Sequence, residues 1–254
     1  MRVDLSGRTA VVTGAGSGIG LASVRALAAS GARVLGGSRT LNDALRAATP
    51  HAMEVDLATA DGPRLLVERA LAEFGGLDVL VNVVGGGVKW AAGFLDIEDE
   101  VWLRTLQVNL LSTVRAVRAA LPSLIERRGA IVNIGSVSAR LADPHLAHYA
   151  AAKAAVVNLG KSLSVEFSPL GVSVNTVSPG PTRSRIWSNP DMAAKLGMTA
   201  EEFQAAVPAM NGLTTGALIE PDEVASLVVL LASGAVPSVT GSEYTIDAGM
   251  LKTI

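Results

Sequence analysis

Two side chains at helical spacing in this sequence could move a proton to or from an oxygen atom. Tyr149 and Lys153 are four positions apart in the alanine-rich stretch HYAAAK, so a helix would place both on one face. A phenol with a pKa of about 10 is a poor acid or base at neutral pH, and a nearby ammonium lowers that pKa. The pair could therefore exchange a proton with a carbonyl or an alcohol.

A serine upstream could stabilise the oxygen atom that this pair would protonate. In IVNIGSVS, residues 131–138, an apolar run that resembles a buried strand ends at Gly135, and Ser136 follows directly. A hydroxyl there can hydrogen-bond a substrate oxygen as negative charge develops on it. His145 and His148 flank the predicted helix start, and no G-x-S-x-G motif surrounds Ser136, so a nucleophilic triad is not indicated.

A glycine-rich turn follows the first predicted strand, in TGAGSGIG at residues 13–20. Glycines let the chain turn tightly and approach a ligand, and the N-terminus of the helix that follows suits a pyrophosphate. The spacing departs from the strict G-x-G-x-x-G pattern, and a plain strand-to-helix turn is the alternative. The residues predicted to contact a nucleotide are Gly14, Gly16, Ser17, Gly18, Ile19 and Gly20.

The elements that must position these motifs alternate between short β-branched runs and helical patterns. Several runs lack a polar face, which is typical of strands covered on both sides. The alternation predicts one α/β domain over residues 1–254, a doubly wound parallel sheet of about seven strands with helices on both faces. The predicted strands are Thr9–Thr13, Ala32–Gly36, Ala52–Val55, Asp78–Asn82, Ala130–Gly135, Val172–Val177 and Tyr244–Asp247.

One region, residues 183–220, interrupts this alternation. It contains Pro190 and Pro208, short helical patches and no predicted strand. Long excursions of this kind are usually functional, and loops beyond the strand C-termini surround the ligand crevice of such sheets. We interpret the segment as a substrate lid, and an oligomer contact or a disordered loop is the alternative. Its apolar side chains favour a partly apolar substrate, or packing onto the body.

Composition excludes several other classes of function. The 254 residues carry 21 basic and 23 acidic side chains, a net charge of −2, so the sequence lacks the excess of basic residues typical of nucleic-acid-binding proteins. The absence of cysteine excludes disulfides and fits a reducing compartment. The longest uncharged stretch, residues 224–242, is interpreted as a core helix and a loop rather than a membrane span. We expect a cytoplasmic protein without a metal, membrane or nucleic-acid partner.

Together the motifs resemble those of the short-chain dehydrogenase/reductase family over essentially the whole chain. They are TGAGSGIG at 13–20, VDL at 55–57, NVVG at 82–85, VNLLS at 108–112, Ser136, YAAAK at 149–153 and SPGPTRS at 178–184. The most specific element is the interval of 13 residues from Ser136 to Tyr149, with Lys153 following. The resemblance implies a Rossmann-like sheet of order 3-2-1-4-5-6-7 and hydride transfer between a nicotinamide ring and an alcohol or ketone carbon.

The resemblance also implies a role for each catalytic residue. Tyr149 would donate or accept the proton, and Ser136 would orient and polarise the substrate oxygen. Lys153 would bind the nicotinamide ribose and lower the pKa of Tyr149. Asn109 would hold a water that extends a proton relay to solvent, although it could instead simply cap or kink its helix.

By the same resemblance, further residues would contact the cofactor. Asp56 would hydrogen-bond the adenine amino group, unless it is only a turn residue. The main chain of Thr182 and the hydroxyl of Ser184 would bind the nicotinamide carboxamide. The other implied contacts are Leu57, Asn82, Gly85, Tyr149, Lys153, Pro179 and Gly180. The family also implies a homotetramer or homodimer.

One motif departs from the family pattern, because N-N-A-G is replaced by Asn82-Val83-Val84-Gly85. We expect the valines to alter the geometry of the cofactor pocket without abolishing binding. A nucleotide-binding regulatory protein without turnover is an alternative, but it predicts loss of catalytic residues that are all present. An epimerase, dehydratase or dehalogenase of the same fold is a further alternative, and the complete catalytic set does not favour it.

The stretch VLGGSRT, residues 34–40, bears on which cofactor is used. An acidic residue about 20 positions past the glycine turn is typical of NAD sites, and a nearby arginine of NADP sites. Here Ser38 and Arg39, followed by Thr40, occupy that place, and no carboxylate precedes Asp43. Ser38 could hydrogen-bond a 2′-phosphate and Arg39 could pair with it. The sequence thus favours NADP(H), with NAD(H) possible, in an enzyme that interconverts a ketone or aldehyde and an alcohol.

Overall fold

Strands and helices alternate to build one parallel sheet. The computed structural model describes residues 3–86 and 90–252, and within them the strand order is β3-β2-β1-β4-β5-β6-β7, with every neighbouring pair parallel. The strands are β1 (Thr9–Thr13), β2 (Arg33–Ser38), β3 (Ala52–Glu54), β4 (Val79–Asn82), β5 (Ala130–Ile134), β6 (Ser173–Pro179) and β7 (Glu243–Ile246). The predicted order is confirmed, and the predicted strand ends differ by at most two residues.

Helices cover both faces of this sheet. They are α1 (Gly18–Ala29), α2 (Asp43–Ala48), α3 (Gly62–Phe74), α4 (Asp99–Leu106), α5 (Ser112–Arg127), α6 (Ala147–Phe167), α7 (Pro190–Lys195), α8 (Ala200–Met210) and α9 (Pro221–Ala232). One core cluster joins the sheet to α1, α2 and α9, and a second joins the opposite face to α3, α5 and α6.

The central strands show why a polar face is absent from their sequences. Side chains alternate between the two faces of a strand. In β1, Val12 packs into the first cluster and Val11 into the second, and in β5 Val132 and Ile131 divide in the same way. Because both faces are buried against helices, both sets of side chains must be apolar. The site therefore lies beyond the strand ends, where polar residues begin.

The segment of residues 183–220 has helices and a small apolar core of its own. It contains a 3-10 turn (Arg185–Ser188), α7 and α8, and Phe203 and Val207 are buried within it. Its two ends meet, because Arg183 donates its N–H to the Ile219 carbonyl over 2.8 Å. The segment leaves and rejoins the body through this narrow neck.

No helix in the described ranges has both the length and the hydropathy that a membrane crossing requires.

Candidate active site

The structure brings Ser136, Tyr149 and Lys153 together at the carboxyl end of β5. Ser136 lies two positions beyond β5, while Tyr149 and Lys153 lie in the first two turns of α6. The Lys153 ammonium donates to the Ile134 carbonyl over 2.9 Å and lies 5.8 Å from the centroid of the Tyr149 ring. The Ser136 hydroxyl lies close enough to the Tyr149 phenol to lower its pKa. The strand end thus anchors the lysine, and the serine lies beside the phenol.

Loss of contact with water governs the protonation of this group. Burial raises the pKa of Tyr149 above its usual value, and the hydrogen bond with Ser136 partly opposes that rise. Burial also lowers the pKa of Lys153 to about 8. The net lowering of the Tyr149 pKa that the resemblance implies does not appear here, because desolvation penalises the charged form of each group. Tyr149 therefore carries its proton at neutral pH and is ready to donate it.

Asn109 lies in an irregular stretch between α4 and α5, a π-helical turn at Gln107–Leu111. Its buried amide donates to the carbonyls of Thr105 and Gly86 over 3.0 and 3.2 Å, and its oxygen accepts from the Gly86 N–H over 3.1 Å. Such π-turns are frequent at functional sites. Asn109 thus fixes the loop that leaves β4, and its place in the π-turn puts its side chain beside that loop.

Gly85 joins these catalytic groups to a neighbouring cavity. A Cβ atom at this position would lie 3.0 Å from the Lys153 Nζ and 3.1 Å from the Asn109 Oδ1. A side chain here would crowd the lysine and the asparagine, and glycine avoids that crowding. Gly85 also borders the cavity described next.

A cavity of about 430 Å³ lies across the carboxyl ends of β1, β2 and β4. In parallel α/β sheets, this edge is where ligands bind. The predicted cofactor contacts that line it are Gly14, Gly16, Ser17, Ile19, Gly20, Ser38, Arg39, Thr40, Asp56, Leu57 and Gly85. The glycine turn, the end of VLGGSRT and the loop after β4 therefore share one ligand-sized space.

The amino end of α1 fits the pyrophosphate of a dinucleotide. Its N-cap residue Ser17 makes no side-chain cap, and the first turn holds no acidic residue, so the backbone N–H groups are available to an anion. At Gly16, a Cβ atom would lie 2.4 Å from the Ser38 Oγ, so only glycine lets β2 approach the turn. Ser17, Gly16 and Ser38 would hold the phosphate side of a dinucleotide.

Comparison with known proteins supports this interpretation of the geometry. A family model described as enoyl-(acyl carrier protein) reductase matches residues 14–251. The 3-oxoacyl-(acyl carrier protein) reductase of Vibrio cholerae is 33% identical over 98% of this chain and 99% of its own. A D-β-hydroxybutyrate dehydrogenase of Rhizobium meliloti is 32% identical over 95% and 98% of the two chains.

A solved structure is also similar over its whole length. L-sorbose reductase from Gluconobacter frateurii, in complex with NADPH and L-sorbose, has a TM-score of 0.92 at 29% identity and covers 100% of both chains. This chain belongs to the short-chain dehydrogenase/reductase family. As a short-chain dehydrogenase/reductase, it is an oxidoreductase that interconverts CH–OH and C=O groups with a nicotinamide cofactor.

Several predicted contacts of this short-chain dehydrogenase/reductase lie beside the cavity rather than in its lining. Asn82 is buried and donates to the Asn133 Oδ1 over 2.9 Å. The Thr182 hydroxyl donates to the Gly180 carbonyl over 3.0 Å, and its main chain forms a bridge to Ile219. The other predicted contacts outside the lining are Gly18, Tyr149, Lys153, Pro179, Gly180 and Ser184. Contacts from Asn82 and Thr182 to a cofactor remain predictions.

Asp56 is a turn residue that also lies at the cavity, and its contact with adenine remains a prediction. Its carboxylate accepts the N–H of Ala58 over 2.9 Å, which is the bond of a turn residue, and it also borders the cavity. Val83 and Val84 border the cavity as well, so the departure from N-N-A-G changes the chemistry of its wall.

Sequence reasoning missed several other lining residues. They are Asn42, Val55, Ala58, Arg104, Val108 and Arg185. The Asn42 amide donates to the Gly16 carbonyl over 2.7 Å, while its oxygen caps α2. An asparagine just before a helical pattern is a cap signal that could have been used. Arg104 and Arg185 carry no comparable signal, because only the fold brings them to the cavity.

The described residues contain no group of three or more histidine, aspartate or glutamate side chains arranged to hold a metal ion.

Proposed function

We propose that the protein is an NADP(H)-dependent reductase that interconverts a ketone or aldehyde and an alcohol, with Tyr149 as proton donor and acceptor. The observation that carries the proposal is the assembly of Ser136, Tyr149 and Lys153 beside a dinucleotide-sized cavity, joined to it through Gly85. A bound nicotinamide cofactor would supply or accept the hydride.

The residues of the chain would handle the proton and the oxygen. Ser136 and Tyr149, which lie close together, would both donate to the substrate oxygen as charge develops on it. Tyr149 would transfer its proton to that oxygen, and the Lys153 charge nearby would stabilise the resulting phenolate. Asn109 would keep the adjoining loop in place and hold the water that returns a proton to the site.

Charge in the cavity supports NADP(H) over NAD(H). Its lining carries Arg39, Arg104 and Arg185 against the single carboxylate of Asp56. Ser38 ends β2 and Arg39 follows it, where a ribose phosphate would lie, and Arg39 forms no ion pair within the described residues. The L-sorbose reductase that this chain resembles binds NADPH.

The segment of residues 183–220 would act as a lid over a partly apolar substrate. Some of its apolar side chains serve its own core, where Trp187 packs against Phe203. Others, Leu196, Met198 and Met210, are exposed and available to a ligand. The relatives are named for an acyl thioester, a hydroxy acid and a sugar, so the substrate class we propose is a carbonyl or alcohol of modest size.

A cofactor and substrate panel tests the proposal. Purified protein is mixed with NADPH or NADH and with a 3-oxoacyl thioester, a ketose, an apolar cyclic ketone or an enoyl thioester, while absorbance at the nicotinamide band is followed. We expect turnover of at least one carbonyl compound, and faster turnover with NADPH. Cofactor binding without turnover would favour a regulatory protein, and turnover of the enoyl thioester alone would assign reduction to a carbon–carbon double bond.

Assembly and compartment follow as proposals from the same family membership. We propose a homotetramer or homodimer that works in the cytoplasm, which suits a chain without cysteine. Val165 on α6 is 72% exposed, an apolar residue that a partner subunit could cover. Light scattering coupled to size-exclusion chromatography gives the subunit number directly, and a monomer would contradict the proposal.

A further inference from the structure

One residue of the 183–220 segment reaches the cofactor cavity. Of these residues, all of which the structure describes, Arg185 alone borders the cavity. It begins the 3-10 turn that follows the neck of the segment. A cation on the proposed lid therefore faces the space in which an anionic dinucleotide would lie.

Arg185 differs from the arginine two positions earlier. The Arg183 Nε donates to the Glu220 Oε1 over 2.7 Å, and this ion pair closes the neck of the segment. Arg185 is exposed and forms no ion pair within the described part of the chain. The guanidinium of Arg183 thus has a structural partner, whereas the guanidinium of Arg185 is available to bind an anion in the cavity.

The shared cavity lining indicates which phosphate Arg185 would meet. Arg185 lies six positions beyond β6 and borders the same cavity as Ser17 and Gly20, at the amino end of α1. Arg39 follows β2, where a 2′-phosphate would lie. The anion that suits the amino end of α1 is the pyrophosphate, which NADPH and NADH share.

We propose that Arg185 binds the pyrophosphate of the cofactor and thereby closes the 183–220 segment over the occupied cavity. The inference rests on the proposed function, because it requires a nicotinamide dinucleotide in this cavity. A guanidinium forms strong charge-assisted hydrogen bonds with phosphate oxygens. Since Trp187, two residues further on, packs against Phe203 of α8, this contact couples the cavity to the helices of the segment.

The coupling has a measurable consequence. A ligand that binds the closed segment better than the open one shifts the equilibrium toward closure, and removing the differential contact removes the shift. NADPH should therefore slow hydrogen–deuterium exchange in α7 and α8 of the wild-type protein. In Arg185→Gln, saturating NADPH should no longer slow it.

Binding measurements separate Arg185 from the other cations. By calorimetry, Arg185→Gln should raise the Kd of NADPH, NADH and ADP-ribose by a similar factor, about tenfold, as expected for one charge-assisted hydrogen bond. Arg185→Lys should restore part of the affinity, because the charge is kept. Lys195→Gln, which removes an exposed cation of α7 outside the cavity lining, should change neither affinity nor exchange.

The outcomes distinguish this inference from the proposed function. Wild-type protein that binds neither NADPH nor NADH would refute both. Wild-type binding that Arg185→Gln leaves unchanged would overturn the inference alone, as would an altered KM for an anionic substrate at an unaltered Kd for NADPH. Weakened binding with exchange still slowed would show that Arg185 does not close the segment.

Discussion

The catalytic wall, formed by Asn109, Ser136, Tyr149 and Lys153, contrasts with the 183–220 segment that faces the same ligand space. Asn109, Ser136 and Lys153 are each less than 10% exposed, and backbone groups of β5 and of the loop after β4 hold two of them in place. The segment has its own small core, joins the body at a neck and presents Arg185 to solvent.

The difference indicates that the wall and the segment contribute to different parts of the function. Chemistry needs fixed positions, which rigid strand ends supply, whereas ligand entry needs a part that moves on a stable base. The Thr214 N–H and hydroxyl both donate to the Ala248 carbonyl over 2.8 Å, so the segment is fixed to the body at a second point. Changes in the wall should therefore affect turnover, and changes facing the cavity should affect binding.

The largest effect is expected from Tyr149→Phe. Removing the phenolic hydroxyl removes the general acid while leaving the ring in place, and such loss lowers kcat by about 10²–10⁴. Steady-state ketone reduction measures the effect, and calorimetry should show a change in the Kd for NADPH that is much smaller than the change in kcat. Tyr244→Phe is the matched control, because Tyr244 is the only other tyrosine of the chain. Equal activity of the two variants would refute the role of Tyr149.

The next largest effect is expected from Arg39→Ala, which changes the cavity lining rather than the wall. Loss of a charge-assisted contact to the 2′-phosphate should raise the Kd of NADPH by about 10- to 100-fold. The Kd of NADH should change little, because NADH has no such phosphate. Fluorescence titration with both cofactors measures the ratio, and equal loss for both would contradict the preference for NADP(H).

The protonation of Lys153 should limit the enzyme at alkaline pH. Burial lowers its pKa to about 8, so the ammonium is lost as pH rises through that value. We expect kcat/KM for NADPH, which reports groups of the free enzyme, to fall about tenfold between pH 7 and pH 9. Lys153→Arg should be slower at every pH but should lack this decline. A wild-type profile that stays flat to pH 9.5 would contradict the assignment.

A single methyl group at Gly85 should disturb the wall by crowding. The added Cβ would lie 3.0 Å from the Lys153 Nζ, and forcing such contacts apart costs about 1–3 kcal/mol. Gly85→Ala should therefore lower kcat about five- to tenfold. Gly93→Ala serves as control, because its Cβ would meet its nearest neighbour, the Asp96 carboxylate, at 3.7 Å. Unchanged kinetics in Gly85→Ala would show that Lys153 and Asn109 move away from the added methyl group at a lower energetic cost than we infer.

The smallest effect concerns His148, which packs between α6 and α4 beside the wall. The imidazole is fully buried against Trp102, and its two nitrogens have no hydrogen-bond partner in the described ranges. Burial lowers the pKa of His148, so the unfolded chain takes up its proton at a higher pH than the folded one. The free energy of unfolding should then fall by about 1 kcal/mol as pH drops from 7 to 5.

His148→Phe keeps an aromatic ring against Trp102 and removes the titrating group. Calorimetric Tm values across this range should show a shallower decline for the variant than for wild type. His145→Gln, which removes an exposed imidazole three positions earlier, controls for the loss of one histidine. If His148→Phe keeps the wild-type slope, the buried imidazole does not account for acid sensitivity.

The strand order and the Ser136–Tyr149–Lys153 set could be predicted because each depends on local patterns. Apolar runs without a polar face identify buried parallel strands, and a spacing of four puts two side chains on one helix face. The direction of the Tyr149 pKa could not be predicted, because it depends on how much water the folded chain removes from both partners. The positions of Arg104 and Arg185 at the cavity could not be predicted for a similar reason, since neither residue belongs to a motif.

The sequence by itself determined the family, the sheet and the candidate catalytic groups, because periodicity and spacing can be read directly along the chain. Only the tertiary structure decided that a side chain at Gly85 would crowd Lys153 and Asn109, because the two converge on it from separate helices. Only the fold brings Arg39 and Arg185, 146 positions apart, into the lining of one cavity. Distances between side chains far apart in sequence are set by packing, and packing decides protonation and ligand contact.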